Sequence, residues 1–160
     1  MKGKVFVVEA GDASGKATQA NRLYSRLARE NYNVRKVEFP NYKSDSSALV
    51  KMYLSGEFGK NPNDVNAYAA SAFFAVDRFA SYMTEWKPFY LDGGIIISDR
   101  YTTSNMVHQA SKILDAEEKT KYLDWLCDLE YEKFGLPKPD CVIFLDMPPE
   151  YSHRLMSHRN

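Results

Sequence analysis

The chain reads as an α/β protein: a parallel sheet with helices on both faces, three layers in all. Two observations lead there. Four short runs rich in Val and Ile, Val5 to Val8, Val34 to Phe39, Ile95 to Ile97 and Cys141 to Leu145, lack polar alternation, as strands buried on both faces do. Between them lie stretches with helical spacing, and strand alternating with helix calls for parallel crossovers.

Taken in order, the first strand is Val5 to Val8. Its helix follows with Ala20, Leu23, Tyr24, Leu27 and Ala28, a three-and-four spacing that lines up one apolar stripe. After the second strand, "PNYKSDSS" at 40–47 and "SGEFGKNPN" at 55–63 are loops by composition. A second, longer stripe runs Val65, Tyr68, Ala69, Ala72, Val76, Phe79, Ala80, Met83, with Asn63 or Asp64 as its cap and Pro88 just beyond its end. The third and fourth strands complete the sheet. No repeat, low-complexity tract or long linker divides the 160 residues, so they are expected to form one domain, 1–160.

Composition narrows the function. Lys plus Arg equals Asp plus Glu at 21 each, which gives no excess charge for a nucleic-acid groove or an anionic membrane surface. The apolar run near the N-terminus is too short for a signal core or a spanning helix. Cys127 and Cys141 lack metal-ligand spacing and fit buried thiols in a reducing cytoplasm. The chain is expected to be a cytoplasmic, soluble protein.

Ligands of open parallel sheets bind at the carboxyl ends of the strands. Gly11 to Thr18 lies there, between the first strand and an amphipathic helix, the setting of a phosphate loop. Its N–H groups and the helix dipole favour phosphate oxygens. Gly15 permits close approach, and Lys16 supplies a cation that can follow a phosphoryl group in flight, the first choice for a catalytic residue. The bland alternative is a glycine turn with a solvated lysine. Against the pattern G-x-x-x-x-G-K-[ST], Ala10 stands where glycine is usual, tolerable if that position needs no positive φ. Ala17 lacks the hydroxyl that commonly ligates Mg²⁺, and Thr18 offers one about 100° round the helix.

The segments "EAGDASGKATQ", "FPNY", "FFAVDR", "SDRYTTSN" and "GLPKPDCVIFLD" resemble, in order and spacing from Val5 to Arg159, those of bacterial thymidylate kinases. The resemblance implies a P-loop kinase fold with strand order 2-3-1-4-5, and transfer of the ATP γ-phosphoryl group to dTMP with Mg²⁺ as cofactor. It implies ATP contacts from Gly11, Ala13, Ser14, Gly15, Lys16, Ala17 and Thr18, with Arg154 and Arg159 at the onset of an arginine-bearing lid. Asp12 resembles the acid that holds the sugar 3′-hydroxyl. Pro40 and Tyr42 match the turn lining the acceptor site, Phe74 the ring that stacks on thymine, and Arg78 the donor to the base. Asp99 and Arg100 match an acid–arginine pair, Arg100 clamping the acceptor phosphate and Asp99 a candidate Mg²⁺ ligand beside the nucleotide phosphates. Asn105 resembles the amide that reads the pyrimidine edge.

Plainer readings stand beside these. Phe74 fits core packing equally well, Asp77-Arg78 and Asp99-Arg100 could be structural ion pairs, and Asp146 could cap a turn. Asn41 stands where relatives often carry an arginine. His108 stands where many place a tyrosine against deoxyribose, or is a solvated helix residue. Relatives continue with a lid, a fifth strand and a closing helix, so the chain is expected to be incomplete, with the fifth strand absent and the apolar edge of Cys141 to Leu145 unpaired. A homodimer through the long helix, with Tyr68 and Phe73 in its face, is also implied. Two rivals remain: a kinase for another nucleotide or a deoxynucleoside, and a catalytically silent nucleotide-binding module.

Overall fold

A computed structural model describes residues 2–148, 150–152 and 154. The chain forms two compact units, one from the segments up to Glu38, Pro88–Arg100 and from Pro139 onward, the other from Phe39–Lys87 and Tyr101–Lys138.

The first unit holds the sheet: β1 (Lys4–Ala10), β2 (Val34–Glu38), β3 (Ile95–Asp99) and β4 (Cys141–Leu145), all parallel in the order β2-β3-β1-β4. This is the expected family order as far as its fourth strand. β1 is the hub, with Val5, Val7 and Val8 almost wholly buried, and each such side chain stabilises the fold by about 1.5–3 kcal/mol. Helix α1 (Lys16–Arg29) covers one face, Ala20 meeting Val8 and Ile97 while Leu23 and Leu27 pack around them. Gly3 sits so close to β3 that an added Cβ would lie 1.9 Å from the Gly94 carbonyl oxygen. Only hydrogen fits there.

β4 departs from the expectation of burial on both faces. Val142, Ile143 and Phe144 are 42%, 37% and 61% exposed, because among the described residues β4 pairs only with β1. Continuous apolarity marks the strand, and its edge place in the sheet is the unpaired edge expected for Cys141 to Leu145.

The second unit is helical. It contains α2 (Ala48–Leu54), α3 (Ala67–Ser81), α5 (Thr102–His108) and α6 (Ala116–Cys127), with 3₁₀ turns at Asp45–Ser47 and Ala110–Lys112. A short helix α4 (Lys87–Leu91) follows a π-helical stretch, Tyr82–Trp86. Ala67, Ala110, Tyr122 and Leu126 form a core, with Met106, Ile113 and Trp125 against it.

Three expectations for the long helix need correction. Its cap is Asn66, whose side chain accepts the Ala69 N–H at 2.8 Å, because Asp64 is turned back onto the Asn61 N–H at 3.0 Å. Pro88 lies inside α4 rather than beyond the helix. The wide π turn before it relaxes the i→i−4 pattern that proline cannot satisfy. The buried face of α3 also carries Ala70, Ser71, Ala75, Asp77 and Arg78, while Tyr68, Val76 and Met83 of the apolar stripe are 36%, 44% and 44% exposed. Hydrogen bonding, rather than apolarity, decided which face turned inward.

The capping assignment has a direct check: Asn66→Ala is expected to lower the unfolding free energy by about 1 kcal/mol, and Asn63→Ala to leave it unchanged, in urea titrations followed by circular dichroism.

Candidate active site

In the first unit the chain leaves β1 at Ala10, turns through Gly11–Gly15 and enters α1 at Lys16. Gly15 is the cap, at φ 76°, and no side chain caps the helix. The first-turn N–H groups are therefore left for an anion. Gly11 does not use its conformational freedom, and Ala10 ends the strand in ordinary backbone; the left-handed residues of the loop are Ala13, at φ 56°, and Gly15. The glycine shift thus removes nothing the loop needs. Gly11–Thr18 and Arg100 line a cavity of about 190 Å³.

The parallel register sets the cavity's charges. Val8 lies opposite Asp99, so the ends of β1 and β3 emerge side by side. Lys16 Nζ contacts the Asp99 carboxylate. Arg100, held at φ 65° with its N–H donating to the Val8 carbonyl at 3.1 Å, donates from Nη2 to Asp12 Oδ1 at 2.8 Å. A non-glycine residue in this region costs about 1–2 kcal/mol, and such strain clusters at functional sites. Both Asp99 and Arg100 join ion pairs, though not with one another. Burial first, then repulsion from Arg100, pushes the Lys16 ammonium down to about 8; Glu9 and Asp12 oppose the shift. At neutral pH the lysine is still charged.

Other loop residues differ in access. The Ser14 hydroxyl is buried without a hydrogen-bond partner among the described residues. Ala17 and Thr18 are exposed. Beside the loop a cleft of about 800 Å³ is lined by Ser14, Gln19, Phe144, Asp146, Tyr151 and Arg154. Arg159 lies outside the described residues.

In the second unit Phe74 is half-buried on α3 and meets Tyr53 edge-on, ring centroids 6.1 Å apart. Arg78, one turn on, is buried; Nε donates to Glu130 Oε2 at 2.7 Å and Nη2 to Glu130 Oε1. Asn105 is buried, its amide donating to the Ser71 carbonyl at 3.2 Å. Tyr42 and His108 are exposed, and Pro40 follows a cis peptide bond.

One residue was misassigned and one was missed. Asp77 does not pair with Arg78: it accepts the Asn41 N–H at 2.8 Å and the Ser46 hydroxyl at 2.6 Å, pinning the turn that carries Pro40 and Tyr42. Glu130, fully buried, is the other. Its signal was available: it continues the four-residue spacing of the buried Tyr122 and Leu126.

A strand, a glycine-capped phosphate loop and a helix bearing the loop lysine, on a parallel sheet, define a P-loop nucleotide-binding α/β protein. The thymidylate kinase family model matches residues 8–160. The thymidylate kinase of Plasmodium falciparum is 30% identical over 151 residues, 94% of this chain and 65% of that protein. A probable thymidylate kinase of Thermococcus gammatolerans is 31% identical over 160 residues, covering 99% and 72%. The structure of thymidylate kinase from Candida albicans superimposes with a TM-score of 0.72 at 25% identity, over 96% of this chain and 67% of that one. The chain belongs to the thymidylate kinase family. It spans less than two thirds of the P. falciparum protein's length.

The depressed lysine has a measurable consequence. Only the protonated form attracts phosphate, so affinity holds below the pKa and falls above it. ATP affinity, measured by calorimetry, is expected to drop about tenfold between pH 7 and pH 9, and Lys16→Ala to bind weakly with no such dependence.

Proposed function

We propose that the chain transfers the γ-phosphoryl group of ATP to a phosphate oxygen of dTMP, giving dTDP and ADP. The carrying observation is the Lys16–Asp99 ion pair at the mouth of the phosphate loop, in a chain of this family. The acceptor needs no general base, because a phosphate monoester with a second pKa of about 6 is already largely a dianion at neutral pH. The residues' work is therefore positioning and charge neutralisation.

In this reading, loop N–H groups and the Ser14 hydroxyl hold the donor phosphates. Lys16 stabilises charge on the phosphoryl group as it moves. Arg100 exchanges its carboxylate partner for the acceptor phosphate and frees Asp12 for the sugar 3′-hydroxyl. Phe74, Arg78 and Asn105 serve the base, with Pro40, Tyr42 and His108 as further acceptor-side residues. Arg154 and Arg159 are assigned to the donor phosphates.

Mg²⁺ is read as the cofactor. Among the described residues no cluster of three or more His, Cys, Asp or Glu could cage a metal, and Ala17 contributes no oxygen. The Asp99 carboxylate fits the ion nonetheless, since Mg²⁺ in phosphotransferases is held by one or two carboxylates together with substrate phosphates and water. When bound it supplies charge neutralisation on the phosphate oxygens.

A homodimer is supported by the exposed apolar residues Tyr68 and Val76 on α3 and Met83 in the π-helical stretch after it. A cytoplasmic setting is supported by the free thiols Cys127 and Cys141, of which Cys141 is exposed and Cys127 half-buried rather than both buried as expected. No helix among the described residues is long and apolar enough to cross a membrane.

A second reading, a silent nucleotide-binding module, is favoured by Ala17. A coupled assay across dTMP, dUMP, dCMP, dGMP, UMP and thymidine separates them. Turnover is expected with dTMP, with Lys16→Ala abolishing it while dTMP binding stays nearly unchanged. Equal turnover by Lys16→Ala sinks the catalytic assignment, tight dTMP binding without product favours the silent module, and turnover best on another substrate moves the specificity there.

A further inference from the structure

The second unit also holds a cation that the reaction as described does not use. Lys112, half-buried at the end of the 3₁₀ turn after α5, donates from Nζ to the Tyr53 hydroxyl at 2.9 Å and to the Val65 carbonyl at 3.0 Å. The same ammonium lies 5.2 Å from the centroid of the Tyr53 ring. Among the described residues no carboxylate pairs with it. Taking an ammonium out of water without a counter-ion is costly, and here a hydroxyl, a carbonyl and a ring face offset that cost. Lys112 thereby ties its own turn to α2, through Tyr53, and to the segment entering α3, through Val65.

What this tie holds is a ring. Tyr53 meets Phe74 of α3 edge-on, with centroids 6.1 Å apart and planes at 87°, and lies 6.3 Å from the Phe73 ring. Phe74 is half-buried, so part of its own ring is left open. Helix α2 has seven residues, too few to hold its shape unaided. Val50 is its buried residue, while Leu49 and Leu54 are exposed. The seat of Tyr53 therefore leans on the contact at its hydroxyl, and the Phe74 rotamer leans on Tyr53.

We propose that Lys112 is a positioning residue: it fixes Tyr53, and through it the Phe74 ring, so that the ring is set for stacking before the acceptor arrives. This rests on the dTMP reading above, in which Phe74 serves the base. Lys112 touches neither base nor phosphate in this account and acts only through Tyr53. Leaving a side chain to be ordered on binding weakens affinity about two- to tenfold, and that is the loss Lys112 prevents.

The test is equilibrium binding of dTMP and, separately, of ATP to the unmodified chain, Lys112→Met, Tyr53→Phe and the double variant, each checked for fold by circular dichroism and thermal melting. Lys112→Met keeps the length and loses the ammonium; Tyr53→Phe keeps the ring and loses the acceptor. Each is expected to weaken dTMP about fivefold and to leave ATP unchanged. The double variant is expected to be no weaker than either single one, because both remove the same contact. Lys112→Arg, which still donates, is expected to keep most of the dTMP affinity. Unchanged dTMP affinity in a folded Lys112→Met, an equal loss for ATP, or losses that multiply in the double variant each make Lys112 a structural residue only and overturn the inference. Should Lys112→Met fail to fold, an unchanged dTMP affinity in Tyr53→Phe overturns it as well. Absence of dTMP binding by the unmodified chain overturns the dTMP reading and this inference together.

Discussion

The phosphate loop depends on the parallel pairing of β1 with β3. With Val8 opposite Asp99, two strands distant in sequence end at one level, and the residues just past each end become neighbours. That is why Lys16 finds Asp99 and Arg100 finds Asp12. Slipping the pairing by one residue would also turn every side chain of β3 to the opposite face, removing Ile97 from its packing against Val8 and Ala20. The site's charges and the hydrophobic core are thus locked to the same register.

Neighbouring opposite charges suggested local ion pairs at Asp77-Arg78 and Asp99-Arg100, and in neither case do the neighbours pair. Adjacent residues on a helix are about 100° apart, so Asp77 reaches the turn after Phe39 while Arg78 reaches Glu130. At Arg100 the backbone turns into the left-handed region and carries the guanidinium away from its neighbour. Each charge is satisfied by a partner distant in the chain, so these four residues hold elements together rather than merely balancing one another.

The second unit uses polar contacts where apolar packing was expected. Burying a guanidinium and a carboxylate is costly, and removing one partner of such a pair costs about 3–5 kcal/mol, whereas apolar residues of similar size would pack more cheaply. The return is direction: Arg78 is held at both ends of one edge. The Ser71 and Tyr122 hydroxyls, 2.7 Å apart, add a similar constraint between α3 and α6. Such contacts make the inward face of α3 insensitive to its apolar pattern.

The fold class, all four strands and the phosphate loop were legible in the amino-acid sequence, because they rest on local properties. Continuous β-branched runs, the spacing of Leu23 and Leu27, and glycine and lysine at a strand–helix junction declare themselves within a few residues. Tertiary structure decided what depends on distant partners. Asp64's turn back to Asn61 left Asn66 as the cap, pairing on one side exposed β4, and Glu130 drew the charged face of α3 inward. The identities of the loop residues are local facts; which carboxylate neutralises Lys16, and which frees or holds Arg100, are set by strand register, and no short stretch of sequence encodes that.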